Sequence, residues 1–122
     1  MNLNNCHNYD DFRKLAKKKL PSPIFHYIDG GSDDEVTLNR NTSSFNDYDL
    51  VPSVLNDVSN IDMSTTVLGQ KIDFPLFPAA TAMHRLYHHE GERASAKAVE
   101  KMGTIFGSST MSTVSIEEIA KI

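Results

Sequence analysis

Apolar residues at Tyr9, Phe12, Leu15, Ala16 and Leu20 recur every three or four positions, which places them on one face of a helix over Asn8 to Lys19. Asn8 or Asp10 can cap its start, because a short polar side chain there accepts an unpaired backbone N–H. Lys17, Lys18 and Lys19 fall in the last turn, where they suit the helix dipole, and Pro21 ends the run. Ser22-Pro23 restarts a helix, with serine as cap and proline in the first turn. It runs from Ile24 to Asp29 and stops at Gly30-Gly31, a pair that can supply a left-handed ending. A third helix is predicted with Ser32 as its cap, Asp33, Asp34 and Glu35 in its first turn, and Val36, Leu38 and Phe45 among its apolar positions.

The period changes after Asp47. Leu50-Val51-Pro52 and Val54-Leu55 are short apolar pieces around a proline. Thr65 to Leu68 is β-branched, Gly69-Gln70 can turn the chain, and Lys71 to Phe74 alternates polar and apolar, so a hairpin is predicted. Phe74 to Met83 then opens with a compact apolar run and closes with the small residues Ala79 to Ala82, which let a ligand approach the backbone. A buried strand is expected to start near Leu76. Met83 to Glu92 reads as a histidine-rich loop. Glu90 to Lys101 reads as a helix, with Glu90 and Glu92 in its first turn and Ala94, Ala98, Val99 and Met102 on its inner face. Gly103 ends it, Thr104 to Gly107 is a second short strand, Ser108 to Thr113 is a polar loop, and Ser115 starts another helix. Strand, loop, helix, strand, loop, helix predicts a parallel sheet with right-handed crossovers. Such a sheet must be covered on both faces, and two strands cannot close a barrel, so the chain reads as the front end of something larger.

Composition narrows the function classes. The 122 residues carry a formal charge of −4 with both signs interspersed, which argues against nucleic acid as the main partner. The basic cluster of Arg13, Lys14, Lys17, Lys18 and Lys19 reads as a solvated helix face. No apolar run approaches the roughly 18 residues of a membrane span. Cys6 is the single cysteine, so no internal disulfide can form, and Met1 to Asn8 is polar without the apolar region of a secretory signal. A reducing cytoplasmic setting is the default expectation. His84, His88 and His89 invite a metal reading, but no cysteine or carboxylate arrangement completes a zinc set, so no metal is expected. Gly30-Gly31 lacks the strand-before-helix setting of a dinucleotide motif.

Five segments, in fixed order, resemble the FMN-dependent α-hydroxy acid dehydrogenases and oxidases, the group of glycolate oxidase and L-lactate dehydrogenase. They are Phe25-His-Tyr-Ile-Asp-Gly-Gly31, Asn60 to Gly69, Pro75 to Met83, His88-His-Glu-Gly-Glu-Arg-Ala94 and Ser108 to Ala120. The last two look most like the L-lactate dehydrogenase branch. The resemblance extends from about Asn8 to Ala120. It implies an α/β fold, the N-terminal part of a TIM (β/α)8 barrel, with a helical cap over 1–47, a lead-in loop and hairpin over 48–74 and the first two βα units over 75–122. A barrel of that kind needs roughly 250 residues. The implied chemistry is oxidation of an L-2-hydroxy acid, L-lactate foremost, to a 2-oxo acid with FMN as cofactor. The family's catalytic histidine and substrate-binding arginines lie beyond the positions matched here, so no histidine of this chain is assigned as the base. Alone, the chain is expected to be inactive and marginally folded.

The resemblance also implies roles for particular residues, each with a structural alternative. Tyr27 matches the tyrosine that hydrogen-bonds the substrate carboxylate, and a phenol donor suits that task at neutral pH; otherwise it is a helix tyrosine packed in the cap. Ala80, Thr81 and Ala82 match the segment whose backbone lies against the flavin, where a backbone N–H can stabilise electron density on the reduced ring; otherwise they are a loop that packs small residues. The family usually has proline where this chain has Ala80, and Pro78 sits two residues earlier. Ser109 matches a serine that hydrogen-bonds the flavin, against the alternative of a loop serine satisfied by its neighbours. Met111 lies where some relatives set substrate size. The implied partners are a small 2-hydroxy acid, an unspecified electron acceptor and, in the full-length protein, further copies of itself. Membrane attachment, a property of some lactate-type relatives at the inner membrane, has no visible signal here. A reading from another class is a non-catalytic module that associates with a split partner or a full-length paralogue.

Overall fold

Asn8 caps the first helix: its side-chain oxygen accepts the Asp11 N–H at 3.0 Å, and α1 runs Tyr9–Lys19. This is a computed structural model that describes residues 3–122. The chain divides into two units, one ending at Asn56 and the other spanning Asp57–Ile122.

In the first unit α1 is followed by α2, Ser22–Asp29, and α3, Val36–Ser43. Leu15 of α1 and Phe25 of α2 are its buried apolar residues, and the Lys17 ammonium stands 5.8 Å from the Phe25 ring centroid. The Arg13 guanidinium grips the Asp29 carboxylate in a bidentate pair that joins α1 to α2, with Nη2 to Oδ2 at 2.8 Å. Its hydrogen bonds hold the Asp29 carboxyl below the usual carboxylate range.

Three local expectations are corrected here. Pro21 occupies the cap position of α2, and Ser22 is the first helical residue. Gly30 leaves α2 with φ −84° and ψ 154°, an extended exit rather than a left-handed one. Helix α3 starts at Val36, later than the acidic run suggested. Asp33 and Glu35 take left-handed backbone, the Glu35 N–H closes a turn onto Ser32 O at 2.9 Å, and the Glu35 carboxylate accepts the Gly31 N–H at 3.0 Å. The acids are spent on that turn instead of a first helical turn.

The second unit opens with the hairpin. Strands β1, Thr65–Val67, and β2, Gln70–Ile72, pair antiparallel, with Thr65 opposite Ile72 and Val67 opposite Gln70. The turn is Leu68-Gly69, one residue earlier than expected, with φ values of 51° and 80°. Positive φ at both central residues is what a two-residue hairpin of right-handed twist requires. Ile72 carries the buried face at 3% exposure.

The buried strand expected from Leu76 and the strand expected over Thr104 to Gly107 are both corrected: neither segment is a regular strand, and Leu76 and Phe77 are 64% and 46% exposed. The Asp73 N–H donates to Gly103 O at 2.8 Å, the Thr104 hydroxyl to Leu76 O at 2.8 Å, and the Met83 N–H to Met111 O at 3.1 Å. A Cβ built on Gly107 would stand 3.5 Å from Ala80 N. Contact partners climb together along both segments, so the two run parallel. Pro75 and Pro78 have no N–H to give to a ladder, and Thr104 takes the Leu76 carbonyl with its side chain.

Helix α4, Glu92–Lys101, lies between these segments in sequence and begins two residues later than expected, after Gly91 at φ 58°. It buries Ala96 and Val99, whereas Ala98 and Met102 face outward, against the expected inner face. Gly103, at φ 63°, ends it as expected. The last helix, α5, spans Ile116–Ile119, and Ser115 caps it by accepting the Glu118 N–H at 3.3 Å. Arg93 of α4 reaches Glu118 of α5, with Nε to Oε1 at 2.6 Å.

Candidate functional site

Residues 79–82 are the small-residue rim. Ala79, Ala80 and Thr81 are exposed and Ala82 is half-buried. Among the described residues, the backbone N–H groups of Ala79, Ala80, Thr81 and Ala82 donate no hydrogen bond. The one local contact is from the Thr81 hydroxyl to Ala79 O at 3.4 Å. A row of backbone donors on side chains no larger than threonine can meet the acceptor edge of a flat ligand.

Ser109 follows the neighbouring parallel segment. Its Oγ accepts the Met111 N–H at 3.1 Å and its carbonyl accepts the Ser112 N–H at 3.0 Å. The acceptor side of the hydroxyl is thus used within its own loop, which leaves the O–H to donate elsewhere. The bond from Met83 N to Met111 O, and a Gly107 backbone so near Ala80 that a Cβ on it would stand 3.5 Å from Ala80 N, bring this loop beside the rim. Tyr27 stands in the other unit, on α2, at 57% exposure. That unit also holds a cavity of about 770 Å³ lined by Tyr9, Arg13, His26, Asp29, Leu38 and Phe45 among others; Tyr27 does not line it.

The histidines are accounted for by local contacts. His84 Nδ1 is 3.1 Å from the Ser95 hydroxyl, and the His88 and His89 rings lie 4.4 Å apart. Among the described residues no group of three or more His, Cys, Asp or Glu could hold a metal ion.

One residue escaped the sequence reading. Glu92 has 0% exposure and is the only charged side chain among the buried described residues. Its Oε1 accepts the His84 N–H at 3.2 Å and the Thr113 N–H at 2.9 Å, and its Oε2 accepts the Thr113 hydroxyl at 2.6 Å. Burial pushes this carboxyl up, but the hydrogen bonds from Thr113, from its own N–H and from His84 outweigh it and bring the pKa down to about 2. Position at the first residue of α4 adds the favourable end of the helix dipole. From the sequence, Glu92 looks like any first-turn acid; its distinguishing partner lies 21 residues away.

Comparison with known proteins agrees with this architecture. Residues 16–122 match the family model described as FMN-dependent dehydrogenase. A peroxisomal (S)-2-hydroxyacid oxidase of Arabidopsis thaliana is 49% identical over 113 residues, covering 93% of this chain and 31% of that protein. Glycolate oxidase of Spinacia oleracea is 42% identical over 113 residues, with the same coverage. A soluble mutant of the membrane-associated (S)-mandelate dehydrogenase of Pseudomonas putida superposes with a TM-score of 0.85 at 36% identity, covering 96% of this chain and 34% of that one. The chain thus spans about a third of the length of the relatives it matches.

The chain belongs to the FMN-dependent dehydrogenase family. Its fold is the N-terminal part of that family's α/β TIM barrel, and the family's cofactor is FMN. The row of unpaired amides at 79–82, on side chains no larger than threonine, suits the acceptor edge of a flat group such as a flavin.

Proposed function

We propose that this chain supplies the opening third of an FMN-dependent oxidoreductase that converts an (S)-2-hydroxy acid, L-lactate in particular, to the 2-oxo acid. The reaction removes two electrons and two protons from the substrate's carbinol carbon and hydroxyl. FMN, when bound, accepts the electron pair. In this reading the amides of Ala80 to Ala82 and the Ser109 hydroxyl hold and orient the flavin, and the Tyr27 phenol donates to the substrate carboxylate. The base is outside the residues assigned here.

The observation that carries the reading is the row of four undonated amides at 79–82 beside the loop of Ser109. The named relatives act on (S)-2-hydroxy acids or on glycolate, which supports the substrate class; the His88–Ala94 and Ser108–Ala120 segments support L-lactate. A cytoplasmic setting is assigned on the single Cys6; among the described residues no helix is long and apolar enough to cross a membrane. Grafting the chain in place of the aligned segment of the spinach enzyme and assaying glycolate, L-lactate and (S)-mandelate tests the assignment. A barrel that binds FMN and turns over L-lactate fastest supports it. A barrel that folds, binds FMN and rejects L-lactate removes the substrate assignment.

A further inference from the structure

We propose that Glu92, through Thr113 and His84, is a positioning residue that sets the spacing of the two loops that follow the parallel segments. One loop follows the rim Ala80–Ala82 and contains His84 and Arg85. The other follows Ser109 and contains Thr113. A single buried carboxylate is bonded by both: His84 N on one side, and Thr113 N and Oγ1 on the other. Arg85 N adds a donor to Thr113 Oγ1 at 3.3 Å, so the hydroxyl is itself a bridge between the loops. At Gly91 the junction leaves no room for a side chain: a Cβ there would meet the Arg85 side chain at 2.5 Å and Thr113 Oγ1 at 3.4 Å.

The arrangement does something that packing alone does not. Apolar contacts tolerate sliding, whereas a carboxylate with three donors fixes both loops to within hydrogen-bond tolerance. It sits on the first residue of a helix whose buried Ala96 and Val99 anchor it, so the fixed point belongs to a rigid element. What the loops hold, a flavin, rests on the reading given under Proposed function. That Glu92 sets their separation does not.

The test has two arms. In the grafted barrel before FMN is added, amide hydrogen exchange is measured for Thr113→Val, Thr113→Ser, Glu92→Ala and, as a control for lost packing on the same helix, Val99→Ala. Thr113→Val and Glu92→Ala are expected to speed exchange at His84 and Arg85 about tenfold or more, with the amides of α1 unchanged. Thr113→Ser keeps the hydroxyl and is expected to restore the wild-type rates. If Thr113→Val leaves those amides unchanged, or if Val99→Ala reproduces the same local loss, the positioning role is overturned. In the grafted barrel, the FMN dissociation constant is read for the same variants. Weakening about tenfold by Thr113→Val, with rescue by Thr113→Ser, supports the link to the flavin. Should the unmodified barrel fold without taking up FMN, the flavin reading fails, and the exchange arm still decides the role of Glu92.

Discussion

Thr113 donates both its backbone N–H, at 2.9 Å, and its hydroxyl, at 2.6 Å, to the carboxylate of Glu92, twenty-one residues earlier in the chain. This doubled bond joins the start of α4 to the loop beyond Ser109. It explains why an acid is retained at a position with no exposure: a buried charge is tolerated when its oxygens are fully bonded.

Removing the carboxylate orphans the His84 and Thr113 amides. Glu92→Ala is therefore expected to destabilise the second unit by about 1 kcal/mol, the low end of the range for leaving donors without a partner, because His84 is half-buried and Thr113 exposed. Urea unfolding followed by circular dichroism measures it. Glu92→Gln keeps one carbonyl oxygen for both amides and is expected to lose less.

The same group gives the fold an acid limit. The Glu92 pKa is lowered from 4.5 to about 2 on folding. Its contribution is fully present above pH 4.5 and is lost as pH falls from about 4.5 to about 2, because the unfolded chain then binds a proton that the folded one refuses. Stability measured across that window is expected to fall less steeply in Glu92→Gln than in wild type. Parallel slopes would show that the group does not titrate in this way.

Arg13 and Asp29 make the corresponding link in the first unit, in a more exposed setting, with the Arg13 side chain half accessible. Asp29→Asn is expected to cost about 0–1 kcal/mol and to lose most of that effect in high salt. Comparing thermal midpoints of the two proteins at low and high ionic strength checks both halves of the statement.

Gly103 ends α4 at φ 63°, and a Cβ there would meet Asp73 at its Cγ and Cβ, 2.9 and 3.0 Å away. Asp73 is also the residue whose N–H pairs with Gly103 O. Gly103→Ala combines left-handed strain with that clash and is expected to destabilise by more than about 1 kcal/mol. A thermal midpoint equal to that of wild type would show that the helix end rearranges freely.

Apolar exposure is extensive. Leu50, Leu55 and Leu68 are essentially fully accessible, and Phe45, Tyr48, Val51 and Val54 are each about 80–90% exposed, while only six apolar residues are buried among those described. Such surface is an association liability. A purified polypeptide of these 122 residues is expected to self-associate in light scattering and to leave L-lactate unoxidised. A monodisperse monomer with bound FMN and turnover would contradict this.

Much of the local structure was legible because its signals are short-range. Asn8, Ser115 and Gly103 act at helix ends through their nearest neighbours, and the alternation before Phe74 encodes its hairpin. Errors arose where one residue had two local options. Glu35 could serve a helix start or close a turn onto Ser32, and bonding to Gly31 N decided for the turn. Leu68 takes positive φ although Gly69-Gln70 looked the better turn, and Gln70 lies opposite Val67 as the first residue of β2. The course of Leu76 to Ala80 beside Thr104 to Gly107 was legible, but not the missing ladder, which follows from two prolines acting together with the Thr104 hydroxyl. At the site, the small-residue rim was visible in sequence. Glu92 was not, since no periodicity links a first-turn acid to a threonine 21 positions on.

In the proposed function the rim at Ala80–Ala82 and the Ser109 loop together hold FMN. The most direct measurement is flavin fluorescence quenching during titration of the grafted barrel with FMN, for the unmodified sequence, Ala82→Leu and Ser109→Ala. One FMN per chain is expected, with affinity weakened about tenfold or more by Ala82→Leu and by a smaller factor by Ser109→Ala, while both variants keep the circular dichroism spectrum of the parent. Affinities unchanged in both variants, or no uptake of FMN by a folded barrel, would contradict it.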